Sequence, residues 1–207
     1  MKKNPTLNLK LLIIGVLFIS IAGGIIGSLI STKIQSGNLA NELIKEYYDI
    51  ENAVLVSPHS LRKRMDKKDT NYILVDLRSP QEYQREHIKT AINIPAYINP
   101  DTSAYNEVER ITQAFQKLPK DKEIIVYCYS IPCMTGRKIG KMLADHGVYV
   151  KSLGIGWNEW RYFWRLWNHE HEWSLTKVED YIEKGTVSES SDSADYISPC
   201  TEGDFDC

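Results

Sequence analysis

Two of the chain's four cysteines lie in the stretch CYSIPCMTG, Cys128 to Gly136, between an apolar run, EIIVY, and a helix-like segment, GRKIGKMLADHG. A cysteine placed after a strand and before a helix sits near the positive end of the helix dipole, among backbone N–H groups that lack intrahelical partners. Both features stabilise a thiolate, the reactive form of the side chain, and the same N–H groups cradle a sulfur anion or an oxyanion. Cys128 is therefore the candidate nucleophile; the plain alternative is a core cysteine ending an apolar strand. Cys133 follows after four residues, with Pro132 stiffening the turn before it. A second thiol so placed attacks a persulfide or sulfenate on the first and leaves an intraloop disulfide. A permanent disulfide and a small apolar filler are the competing readings. The remaining loop residues, Tyr129, Ser130, Ile131, Pro132, Met134, Thr135, Gly136 and Arg137, set the size of any anion held there.

Short β-rich runs and helical patterns must position this loop. The candidate strands are 53–56, 72–76, 91–94, 123–128 and 148–152, each rich in Val, Ile or Tyr and too short for a buried helix. Ser57-Pro58 and Ser79-Pro80 each read as an N-cap followed by proline at the first helical position. Helices are also predicted over 103–118 and 136–146. Alternating β and α segments imply an α/β fold, a mainly parallel sheet covered on both faces. Ligands of such sheets bind beyond the carboxyl ends of the strands, where the cysteine loop begins.

Three motifs, in order over about residues 53–167, resemble the rhodanese-like (sulfurtransferase) family. NYILVDLRSPQEYQREHIKTAINIP carries Asp76, Arg78, Glu82, Tyr83, His87, Ile88, Ala91, Asn93, Ile94 and Pro95 of the family's first pattern. VYCYS matches the strand that leads into the family's active-site cysteine, here Cys128. LGIGWNEW matches a later motif through Leu153, Gly156 and Trp160. The resemblance implies a five-stranded parallel sheet and a cysteine that carries a persulfide between donor and acceptor. It also implies that Asp76, Arg78 and His87 are architectural. The chain departs from the family at Glu86, Thr90 and Ile155, where glycines are expected. Its loop is two residues longer than the usual sulfurtransferase loop and lacks the loop arginine, since Arg137 falls inside the helix. That makes thiosulfate a doubtful donor. A C-x5-R phosphatase is disfavoured as well, because position 134 is Met134.

A formal net charge of −2 gives no pull toward nucleic acid, and none is expected as a partner. The uncharged run 11–30 has the length of a bilayer-spanning helix, about 20 residues. It is longer than a typical signal-peptide core. With Lys2, Lys3 and Lys10 before it, the run predicts a single-pass membrane anchor, amino terminus cytoplasmic and domain extracytoplasmic. The cysteines then face a compartment where disulfides persist. The expected organisation is a cytoplasmic terminus (1–10), the anchor (11–30), a stalk with a short amphipathic helix (31–52), a rhodanese-like domain (53–173) and a carboxyl-terminal helix with an acidic tail (174–207). The tail holds Cys200 and Cys207, and its serine- and acid-rich composition reads as disordered.

No metal or other cofactor is expected. The cysteine spacings C-x4-C and C-x6-C make a poor zinc set, and His169 and His171, beside Glu170 and Glu172, read as solvated. Trp157, Trp160, Trp164 and Trp167 recur at helical spacing and read as core, with a membrane-interface helix as the alternative. The sequence thus points to sulfur transfer or thiol redox at Cys128, with Cys133 resolving. A small sulfur-containing donor and a thiol acceptor are the expected partners. The alternative is a non-catalytic rhodanese-like binding module; the missing loop arginine favours it, and the paired cysteines favour the enzyme.

Overall fold

The computed structural model describes residues 5–185, with the side chains of 5–13 and 26–38 left aside. Cys200, Cys207 and the tail lie outside these residues. The chain forms two compact units that part between Glu51 and Asn52. The first is the bulk of one uninterrupted helix, α1 (Pro5–Val54).

Among the described residues no helix is long and apolar enough to cross a membrane. This overturns the expectation of a single-pass protein anchored through residues 11–30, and with it the assignment of the domain to an extracytoplasmic compartment. Helix α1 runs through the predicted stalk, so no separate short helix forms there, and Leu39, Leu43 and Tyr47 are exposed.

The second unit follows in the order β1 (Leu55–Val56), α2 (Pro58–Asp66), β2 (Tyr72–Asp76), α3 (Pro80–Arg85), β3 (His87–Ile88), β4 (Ile92–Asn93), β5 (Tyr97–Asn99) and β6 (Thr102–Ser103). Then come α4 (Val108–Gln116), β7 (Glu123–Tyr127), α5 (Thr135–Asp145), β8 (Lys151–Leu153), α6 (Trp157–Tyr162), α7 (Trp164–Trp167) and, after two one-turn 3-10 helices, β9 (Ile182–Glu183). Five strands form one sheet in the order β1-β8-β7-β2-β4, every pair parallel. The α/β class and the five-stranded parallel sheet flanked by helices are as expected.

Period-two alternation sorts the two central strands between separate cores. Tyr72 and Leu74 of β2, with Ile125 and Tyr127 of β7, pack with Leu61 of α2 and with Trp157, Trp160 and Trp164. Val75, Val126 and Cys128 pack on the other face with Ile111 and Phe115 of α4 and Ile139 and Leu143 of α5. The tryptophans are core: Trp160 is wholly buried and its ring stacks on Trp167 at 4.9 Å. They do not share one helix, because α6 ends at Tyr162 and Phe163 breaks the turn before α7.

Two further expectations shift. Residues 148–150 precede β8 instead of opening it. The predicted helix 103–118 begins only at Val108; before it, β6 pairs antiparallel with β5 as a small ribbon. That ribbon carries Tyr97 and leads into Tyr105, both of which bear on the site.

Candidate active site

Strand β7 delivers Cys128 to the carboxyl edge of the sheet, and the loop 128–134 carries the chain into α5. Trp157 and Asn158, at the start of α6, donate backbone N–H bonds of 2.8 Å to the carbonyls of Cys128 and Tyr129. Glu159 receives the N–H of Gly156 on one carboxylate oxygen and that of Ile131 on the other. This close approach requires Gly156 itself: a Cβ there would stand 2.2 Å from the Ser130 nitrogen and 2.4 Å from the Tyr129 carbonyl carbon. The third sequence motif therefore braces the cysteine loop through its backbone.

Both loop cysteines are free thiols. Their sulfurs are 3.7 Å apart. Cys128 is 5% exposed, while Cys133 is half-buried. Thr135, the first residue of α5, sets its hydroxyl 3.3 Å from the Cys133 sulfur. The same oxygen lies 2.9 Å from the Tyr97 hydroxyl and 2.5 Å from that of Tyr105. A hydroxyl has one proton and two lone pairs. The two tyrosine hydroxyls are also 3.1 Å apart, and either member of each of these hydroxyl contacts can be the donor. The Cys133 thiol donates to Thr135, and once ionised it accepts from the Thr135 hydroxyl.

Electrostatically the two thiols part. The Cys128 S–H donating to it holds Cys133 down at about 5; burial opposes this, and the Thr135 hydroxyl with the backbone N–H groups of Thr135 and Tyr129 adds to it. Burial pushes the Cys128 thiol well up, and its bond to Cys133 keeps the proton on it. The acidifying surroundings expected for Cys128 thus fall on Cys133, one residue before the N-cap of α5 and less deeply buried. Burial also raises Tyr97 and Tyr105, which keeps them protonated.

The other loop residues frame this pair. Tyr129 donates to Glu82 Oε2 at 2.5 Å, and Ser79 donates to the same oxygen at 2.6 Å. Tyr129 also meets the Tyr97 ring edge-on at 5.2 Å. Ile131, Pro132 and Met134 are exposed at the rim, and Ser130 and Gly136 are half-buried. Arg137 lies within α5, as expected, but its exposed guanidinium folds back to donate to the Ile131 carbonyl at 3.2 Å.

Asp76 and Arg78 lie beneath the loop. They form a buried pair at 2.6 Å, 0% and 2% exposed, and Arg78 stacks over Trp157 at 4.3 Å. Tyr127 donates its hydroxyl to Asp76 at 2.6 Å. His87 is buried, stacked on Tyr83 at 3.8 Å, with Nδ1 at 2.8 Å from the Tyr83 carbonyl. None of the three has a contact with either cysteine sulfur among those the structure shows; each joins elements of the fold. Tyr97 and Tyr105 are the site residues that sequence reasoning missed. Their only signal was two tyrosines inside a stretch read as motif end and helix start.

The family described as Rhodanese-like domain matches residues 57–162. The thiosulfate:glutathione sulfurtransferase of Saccharomyces cerevisiae is 34% identical over 131 residues, 62% of this chain and 85% of that one. An HTH-type transcriptional regulator of Mycobacterium tuberculosis is 33% identical over 88 residues, 42% of this chain and 34% of that one. Among solved structures, the BH2092 protein from Bacillus halodurans superposes with a TM-score of 0.47 at 25% identity, covering 66% of this chain and 99% of that one.

Proposed function

The chain belongs to the rhodanese-like domain family, and from that premise we propose that it transfers a sulfur atom through a persulfide on the Cys128–Cys133 pair. The carrying observation is the pair itself: two free thiols 3.7 Å apart, with the Cys133 sulfur held by Thr135. A thiolate attacks the outer sulfur of a small donor. The new S–S bond forms as the donor's own S–S or S–S(oxide) bond breaks, and the donor leaves with the electron pair. An acceptor thiolate then takes the outer sulfur as its own persulfide and returns the cysteine thiolate. In the side reaction the second cysteine attacks the inner sulfur, expels hydrosulfide and closes a disulfide, which an external thiol must reduce.

The motif supports Cys128 as carrier and Cys133 as resolving thiol. The yeast relative's name supports a thiol acceptor of the glutathione kind. A cation at the rim is Arg137, folded over the Ile131 carbonyl. It offers charge to an anionic donor from α5 in place of the loop arginine. A second reading exchanges the two cysteines, and the greater exposure and low pKa of Cys133 favour it.

Intact-mass and unreduced peptide mapping, after addition of thiosulfate, polysulfide or a thiol persulfide, decide between these readings. With Cys128 as carrier, Cys133→Ser lengthens the life of the added sulfur and Cys128→Ser abolishes it. The reverse pattern assigns the carrier to Cys133. A parent chain that takes up no sulfur from any of the three donors is a binding module.

A further inference from the structure

The geometry points to a divalent metal site of the zinc class, built by His59, His169 and Glu172 and independent of the cysteine loop. His59 is the second residue of α2. His169 caps the 3-10 turn Glu170–Glu172, and residues three apart on such a turn eclipse one another. His169 and Glu172 therefore stand on one side of the turn. One ligand atom from each of the three residues lies within 4.8 Å of the others.

The separations suit a shared ion. His59 Nε2 is 3.0 Å and 3.2 Å from the two Glu172 oxygens. Ligands on a tetrahedral ion with bonds of about 2.05 Å stand roughly 3.3 Å apart. The His59 and His169 rings are nearly perpendicular, at 83°, with centroids 4.6 Å apart. Two imidazoles and a carboxylate are a donor set that zinc accepts, with a fourth position left for water. His169 is exposed, so water reaches that position.

The carboxylate is also oriented from behind. Arg62, 2% exposed, donates to Glu172 Oε1 at 2.5 Å and bonds Asn168 as well. Arg62 holds Oε1, and Oε2 is the oxygen nearer His59, at 3.0 Å; support of this outer-shell kind fixes a ligand in place. The guanidinium charge works against cation affinity, which suits an exchangeable ion better than a permanent one. The sequence hides this site because His59 is 110 residues from His169.

The test uses the full chain with Cys128, Cys133, Cys200 and Cys207 all changed to Ser, so that no thiol competes for the metal. Zinc is titrated against a chelating dye, and cobalt is added separately for its visible spectrum. We expect one equivalent of zinc, with affinity falling about tenfold or more in His59→Ala and in His169→Ala. His146→Ala, on α5, should leave it unchanged. His169 is exposed, so its replacement keeps the fold, which circular dichroism verifies. No saturable zinc binding, or equal affinity in the parent and His169→Ala, overturns the proposal.

Discussion

Cys133 Sγ stands 3.7 Å from Cys128 Sγ, beyond the roughly 2.0 Å of a disulfide yet within contact. Once the pair has lost its first proton, the two sulfurs compete for the one that remains. Charge rests on the sulfur that has more donors, and the buried partner keeps its hydrogen.

This pair should lose its first proton near pH 5, the value at which Cys133 is held. Cys128 should not follow until well above the usual thiol range. With Cys200 and Cys207 changed to Ser, thiolate absorbance against pH will show one early step and one late one, and adding Cys133→Ser will remove the early step. The signs for stability differ. The depressed Cys133 value adds stability that is present above the unfolded value, about 8.5, and lost as pH falls through 5. The raised Cys128 value adds stability below 8.5 that is lost as pH climbs. A single step near the unfolded thiol value would refute the arrangement.

Thr135→Val keeps the shape and removes the hydroxyl. A hydrogen bond to a charged group is worth about 1.5–3 kcal/mol, and a pKa unit about 1.4 kcal/mol. The Cys133 step should therefore rise by about one to two units. Alkylation at mildly acidic pH should slow to match. An unchanged profile would show that Thr135 does not act on the sulfur.

Gly156→Ala drives a methyl into the Ser130 backbone at 2.2 Å. The loop must yield, since backbone on both sides cannot rotate away. We expect a loss of about 1–3 kcal/mol in urea unfolding, with altered cysteine alkylation. Wild-type stability and reactivity together would mean that the loop is not braced there.

Thr90→Gly should do the opposite. Thr90 has φ +69°, the left-handed region, at one of the positions where the resemblance led us to expect glycine. A β-branched residue there carries strain of order 1 kcal/mol. Glycine removes it but adds freedom to the unfolded chain. A net gain of about 0.5–1 kcal/mol is expected; a loss in urea unfolding would show that the Thr90 side chain outweighs its backbone. At another of the three departures, Glu86 is extended at φ −161° and binds Arg161 at 2.9 Å, so no such gain is expected there.

The sequence by itself determined the class of fold and the place of the loop, because both are written in local terms. YILVD is strand over the whole of its predicted span, and EIIVYC gives up only its last residue. Alternating side chains on a pleat must divide between two faces, and each face here is apolar enough to need a helical cover. Cys128 just past the end of β7 and Cys133 before α5 follow from spacing alone. The tertiary structure decided which thiol holds the charge, because burial and donors come from segments distant in the chain. Tyr97 and Tyr105 reach Thr135 only through the β5–β6 ribbon, which no periodicity announced. His59 meets Glu172 only because α2 and the chain after α7 pack on the same face of the sheet. It also set the extent of α1, whose helical run passes from the apolar stretch into the polar one without a break. Local propensity and period act over a few residues. Contacts between residues far apart in the chain depend on how whole elements pack, and one sequence read along its length carries no direct record of that.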